Sequence, residues 1–95
     1  MAGWVYMLAT RKDGVLYIGT TNDLVRRVHE HRTHVAPGFT STYNVDKLVW
    51  FESHETMPLA IEREKQLKSW RRSWKIRLIE AENPDWRDLW PDILK

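Results

Sequence analysis

Tyr6 and Tyr17 sit in two short apolar runs, Trp4-Val5-Tyr6-Met7-Leu8 and Val15-Leu16-Tyr17-Ile18-Gly19. An Arg11-Lys12-Asp13-Gly14 turn separates the runs, so the two phenols face one another across a hairpin. Either tyrosine alone is an ordinary strand residue, but the pair is more specific. A phenol takes a proton from water only if nearby cations depress its pKa from the usual value of about 10. Leu24, Arg27, Val28 and His31 follow at i, i+3, i+4 and i+7, on one helix face. Leu24 and Val28 should turn to the sheet, leaving Arg27 and His31 to flank the buried stripe. A guanidinium there could hold a phosphate by two parallel hydrogen bonds. Arg27 could equally pair with Glu30 or Asp23, and His31 could be a half-buried structural histidine. His29 and His34 are expected to face solvent. Ala60, Glu64 and Leu67 repeat the i, i+4, i+7 spacing, which sets one carboxylate inside an apolar stripe. Burying a carboxylate is costly unless it is paired or metal-bound. Glu64 is thus either an oxygen ligand for a hard divalent cation or half of a salt bridge to Arg27 or Lys68. Together these residues could cut a phosphodiester.

Charge is distributed unevenly along the chain. Arg63, Lys65, Lys68, Arg71, Arg72, Lys75 and Arg77 form a run in which Glu64 is the one acid. The balance then inverts with Glu80, Glu82, Asp85, Asp88 and Asp92. A local basic stripe on a chain of net charge +2 suits an anionic partner on one face, nucleic acid above all. The stripe from Arg63 to Lys75 is expected to grip a phosphate backbone, with Trp70 or Trp74 stacking on bases. Core packing is the competing role for Trp70, Trp74, Trp86 and Trp90. The chain has no Cys, so neither a disulfide nor a thiolate zinc site is available. That fits a reducing, cytoplasmic setting. No signal-like segment or membrane span is expected.

These side chains need a scaffold of the α+β class. At 95 residues the expectation is one small domain, residues 1–95. Residues 3–10 and 15–19 read as strands, with Gly14 supplying positive φ in the turn. Asn22 is expected to cap a helix to about His34, and residues 35–42, with Pro37 and Gly38, to form a loop. Residues 47–53 read as a third strand. Thr56 should cap a helix over 57–71, with Pro58 in its first turn. Ser73 should open another helix to Glu82. Asn83-Pro84 should end that helix, with a final turn or two over 85–90. The order is β-β-α-β-α-α, a small three-stranded antiparallel sheet flanked by helices.

This constellation resembles the GIY-YIG nuclease family. Tyr17-Ile18-Gly19 is intact, and Arg27 falls eight residues after Gly19. His31 follows one turn on, and Ala60 to Lys68 looks like the family's glutamate helix. Trp4-Val5-Tyr6 stands where the family has Gly-Ile-Tyr, so only the tyrosine of that motif carries over. The resemblance covers about residues 3–80, with 81–95 an acidic, Trp-containing extension. It is greatest to small stand-alone bacterial members, and extends to the N-terminal nuclease domain of a bacterial excision-repair enzyme.

The resemblance implies a one-metal endonuclease acting on DNA. Glu64 would hold one Mg²⁺ or Mn²⁺. Tyr6 would be the general base or position the attacking water, with Tyr17 as its partner. Arg27 would stabilise charge on the phosphate, and His31 would assist. No nucleotide cofactor is implied. Two other readings share the fold: a non-catalytic nucleic-acid-binding module, and a protein-interaction adaptor that uses the Trp-rich, acidic C-terminus.

Overall fold

The computed structural model describes residues 2–35 and 38–94, without the side chains of Phe39 and Ser41. It has the expected α+β architecture: a three-stranded antiparallel sheet in the order β2-β1-β3, flanked by helices. The strands are β1 (Gly3–Ala9), β2 (Leu16–Thr21) and β3 (Lys47–His54). The helices are α1 (Leu24–Arg32), α2 (Phe39–Tyr43), α3 (Met57–Ser69), α4 (Arg72–Glu82) and α5 (Trp90–Ile93). No helix among the described residues is long and apolar enough to cross a membrane.

The hairpin turn differs from expectation in one residue. Asp13, not Gly14, takes the left-handed backbone, at φ 59°. A short polar side chain tolerates that region. Gly14 is needed for space instead: a Cβ there would lie 2.1 Å from Thr10 Oγ1. That hydroxyl also accepts from the Val15 amide at 3.1 Å and fixes the turn.

Each face of the sheet carries its own apolar layer, because strand side chains alternate. On one face, Val5, Met7, Ile18 and Trp50 pack against Ala60 and Leu67 of α3, Ile79 of α4, and Trp86. On the other, Tyr6, Leu8 and Leu48 pack against Leu24 and Val28 of α1, with Leu89, Trp90 and Ile93 at the periphery. A register shift sits opposite Met7 and Leu8. Met7 pairs with Trp50 and Leu8 with Leu48, leaving Val49 as the extra residue of a bulge.

Four local expectations are corrected. Asp23, not Asn22, caps α1, its carboxylate accepting from the Arg26 amide at 3.1 Å. An anionic cap suits the positive helix end better than an amide. The stretch expected as a loop over 35–42 contains the short helix α2, while Pro37 lies outside the described residues. α4 begins at Arg72, one residue ahead of Ser73. The final helical turn runs over Trp90–Ile93, beginning only at the last residue of 85–90. Its delay has a cause: residues 83–89 lie along the outer edge of β3. The Leu89 amide donates to Leu48 O at 2.7 Å, and Asn83 Nδ2 donates to Val49 O at 3.1 Å. Asp88 accepts from the Leu48 amide at 3.3 Å and the Trp90 amide at 3.0 Å, and pairs with Arg32. The C-terminal segment thus covers an open sheet edge.

Candidate active site

The cluster expected from Tyr6, Tyr17, Arg27 and His31 assembles where α1 crosses β1 and β2. Tyr6 pairs in register with Gly19, and Tyr17 with Leu8, so the two phenols are diagonal neighbours. Their ring centroids lie 6.4 Å apart. His31 completes a triangle of rings, 5.9 Å from Tyr6 and 5.5 Å from Tyr17.

Gly19 makes this packing possible. A Cβ at that position would stand 2.6 Å from the Tyr6 hydroxyl oxygen and 2.7 Å from its Cζ. Tyr6 is only 1% exposed and has nowhere to retreat. Gly19→Ala should therefore displace the phenol. Overpacking of this kind costs about 1–3 kcal/mol and should lower Tm by roughly 4–20 °C. Any activity that depends on the phenol should fall with it. A thermal melt and a rate at the parent's level would refute this role for Gly19.

His31 departs from expectation. It lies on the buried stripe of α1 with Leu24 and Val28, at 2% exposure, rather than flanking it. Two buried partners make that tolerable. Nε2 is 3.1 Å from the Tyr6 hydroxyl and Nδ1 is 2.9 Å from Thr40 Oγ1. The network admits a relay of protons. Arg27 acts as a donor toward the phenol oxygen, which leaves the Tyr6 O–H free to donate to His31 Nε2. In that arrangement the imidazole carries its own proton on Nδ1 and donates it to Thr40. Burial first, and Arg27 second, lower the His31 pKa to about 4. The ring is neutral at physiological pH and can accept a proton.

The phenol itself is not depressed, although cations lie near it. Burial first, then the neighbouring Tyr17, push the Tyr6 pKa up to about 12, and Arg27 offsets only part of this. A free phenolate is therefore not the resting state. What the geometry provides is a neutral phenol within hydrogen-bonding distance of a neutral imidazole.

Arg27 is half-buried at the rim and pairs with Glu30 at 3.1 Å. Burial lowers its pKa, while Glu30, Tyr6 and Tyr17 raise it, so it stays charged. Glu64 approaches from α3, which packs on the opposite face of the sheet, yet its charge is felt by the Tyr6 phenol. Its side chain is 17% exposed and pairs with Lys68 at 3.1 Å. Among the described residues no three acidic or histidine side chains form a ready metal cage. One carboxylate is still a suitable donor set for Mg²⁺, which keeps most of its waters and takes oxygens from a substrate phosphate. Glu64 fits that role, because Lys68 is the more exposed partner and can swing away.

Three members of the basic stripe have partners within the protein. Arg63 donates to Glu52 at 3.1 Å and to Gln66 at 2.6 Å. Arg72 donates to the carbonyls of Asp13 and Gly14 at 3.0 and 2.6 Å, tying α4 to the hairpin turn. Lys68 faces Glu64. Lys65 and Arg71 are exposed and Lys75 is half-buried. Thr40 carries no signal in the sequence. It lies in the stretch read as a loop, and its partner is nine residues away.

Known proteins resemble this chain over most of its length. The model of the GIY-YIG catalytic domain matches residues 2–77. A UPF0213 protein of Haloquadratum walsbyi is 36% identical over 77 residues, which is 81% of this chain and 85% of the relative. A UPF0213 protein of Staphylococcus aureus is 35% identical over 68 residues, 72% of this chain and 83% of the relative. The solution structure of a UPF0213 protein from Bacillus halodurans superposes with a TM-score of 0.57, at 26% identity and 93% coverage of both chains.

Proposed function

The chain belongs to the GIY-YIG family, and from that premise we propose that it is a divalent-metal-dependent endonuclease hydrolysing phosphodiester bonds in DNA. The observation that carries this reading is the buried chain of contacts from Tyr6 to His31 to Thr40, with Arg27 at its rim. A core built only for stability has no need of a phenol aimed at a neutral imidazole beside a guanidinium. Burying two titratable groups is costly.

Each residue has its own part in the reaction. Tyr6 accepts a proton from the attacking water as its own proton passes to His31 Nε2. Its neutral, hydrogen-bonded oxygen also orients that water. The His31 pKa of about 4 opposes this transfer in the resting site, and Arg27 contributes to that opposition. A bound phosphate neutralises Arg27 and so raises the basicity of His31 when it is needed. Thr40 holds the imidazole in the correct tautomer, and Tyr17 packs against both rings. Arg27 stabilises charge on the phosphate. Glu64 would hold one Mg²⁺ or Mn²⁺, which supplies Lewis-acid stabilisation of the phosphate and leaving oxygen when bound. A cytoplasmic setting and a place in DNA repair go with this reading.

The ion pairs Arg27–Glu30 and Glu64–Lys68 are also what a non-catalytic nucleic-acid-binding module would show. Pairs of this kind within one helix are worth under about 1 kcal/mol. A phosphate and a divalent cation would displace them readily. Arg27→Ala separates the two readings. For the enzyme, the rate should fall about a hundredfold, since one preorganised charge at the transition state is worth roughly 3 kcal/mol. Affinity should change little, because this is one phosphate contact among several. Equal losses of rate and affinity, measured by single-turnover cleavage and titration, would reduce Arg27 to a binding contact.

A further inference from the structure

The outer face of α4 carries a feature the active site does not use. Trp74 is 45% exposed, whereas Trp86 is buried and Trp70 is packed against the core. Its ring is not isolated. The Arg71 guanidinium lies over it at 4.9 Å, and Trp70 meets it edge-on at 6.0 Å. Arg63 in turn lies over Trp70 at 5.3 Å. The result is a ladder, Arg63–Trp70–Trp74–Arg71, with a guanidinium at each end. Beside it opens an apolar groove of about 440 Å³, lined by Trp70, Trp74, Arg77, Leu78 and Ala81. From Lys65 to Ile79 the chain has six basic residues and no acid.

We propose that this face is a binding subsite for single-stranded nucleic acid, in which Trp74 stacks on an unpaired base while Arg71, Lys75 and Arg77 hold the flanking phosphates. The ring already attracts one planar cation, and a base presents a planar face to the same π surface. Only an unpaired base can offer that face, since bases within a duplex are covered by their neighbours. A second copy of this chain is a poor occupant. A two-fold contact through this face would bring both sets of basic side chains together. The subsite deepens the nuclease reading, on which it rests, by naming the substrate class, single-stranded or with a single-stranded arm.

The test is binding without cleavage, read by fluorescence anisotropy of labelled oligonucleotides in EDTA. Trp74→Ala should weaken binding of a short oligo-dT about tenfold or more, and Trp74→Phe should restore most of it. Affinity for a duplex should move by about twofold or less. An oligonucleotide made abasic throughout should not distinguish parent from Trp74→Ala. The melt should move by only a few degrees, because the ring is 45% exposed and lies outside the core. Equal affinity of parent and Trp74→Ala for oligo-dT would overturn the proposal, as would an equal loss on the abasic strand. Competition by polyglutamate as strong as by oligo-dT would assign the face to acidic protein. Self-association lost in Trp74→Ala, seen by sedimentation, would assign it to a second copy; either result overturns the proposal. The two readings can fail separately. A parent that cuts nothing beside a Trp74→Ala that loses single-strand affinity would sink the nuclease and keep the subsite. A cutting parent with a normally binding Trp74→Ala would do the reverse.

Discussion

Glu64→Gln is expected to lower DNA cleavage about a thousandfold while leaving the fold intact, the loss expected when preorganised charge stabilisation is removed from a reaction centre. Glutamine has nearly the same shape but lacks the charge that holds a hard cation. The carboxylate's resting partner is Lys68, 55% exposed in its side chain, so the ion pair adds little to stability. Tm should therefore move by roughly 4 °C or less. A variant that melted well below the parent yet cut normally would show Glu64 to be a structural residue. The same substitution separates the remaining reading, a protein-interaction adaptor, because such an adaptor needs neither the carboxylate nor the metal.

Tyr6→Phe is expected to be the second most damaging change, lowering the rate about a hundred- to ten-thousandfold. It also has a stability signature. Removing the hydroxyl leaves His31 Nε2 buried without its partner, at a cost of about 1–3 kcal/mol. Tm should fall by roughly 4–20 °C, while nucleic-acid affinity should hold. The pH dependence follows from the two shifted groups. His31 is lowered from 6.5 to about 4 in the fold, so the unfolded chain binds the extra proton first. Its contribution is present above 6.5 and is lost as pH falls from there through 4. Tyr6 is raised from 10 to about 12, so the parent loses stability as pH climbs through that window. The alkaline loss should shrink in Tyr6→Phe and the acid loss should persist. In the rate profile, a neutral phenol needs no ionisation. No Tyr6-dependent rise is therefore expected between neutral pH and pH of about 10. A tenfold gain per pH unit in the parent that disappears in Tyr6→Phe would instead assign the base to a phenolate.

The elements and faces of this protein were legible from its sequence because each rests on local chemistry. The i, i+4, i+7 spacing of Ala60, Glu64 and Leu67 set Glu64 on the packed face of α3, and Ala60 and Leu67 are indeed buried. Thr56 caps that helix as expected, its hydroxyl accepting from the Leu59 amide. The same spacing placed His31 near the stripe of α1 but could not show it on the stripe. That depends on Tyr6 and Thr40, 25 and nine residues away, arriving as its partners. The internal partners of the basic stripe were hidden for a related reason. Sequence counts charges but does not show what they pair with. Arg63 is held by Glu52 eleven residues back, and Arg72 by carbonyls 58 and 59 residues back. The phenol's pKa was hidden by the same route, since burial, its largest influence, is not visible in the sequence.

The most direct test of the nuclease assignment is a cleavage panel run with the parent protein. Single-stranded, duplex and branched DNA, with matched RNA strands, would be incubated with Mg²⁺, with Mn²⁺ and with EDTA, and resolved on denaturing gels. Strand scission of DNA is expected in both metals, none in EDTA, and none above background for Glu64→Gln. Intact strands throughout, in a protein that binds them, would contradict the assignment and leave a nucleic-acid-binding module on a nuclease fold.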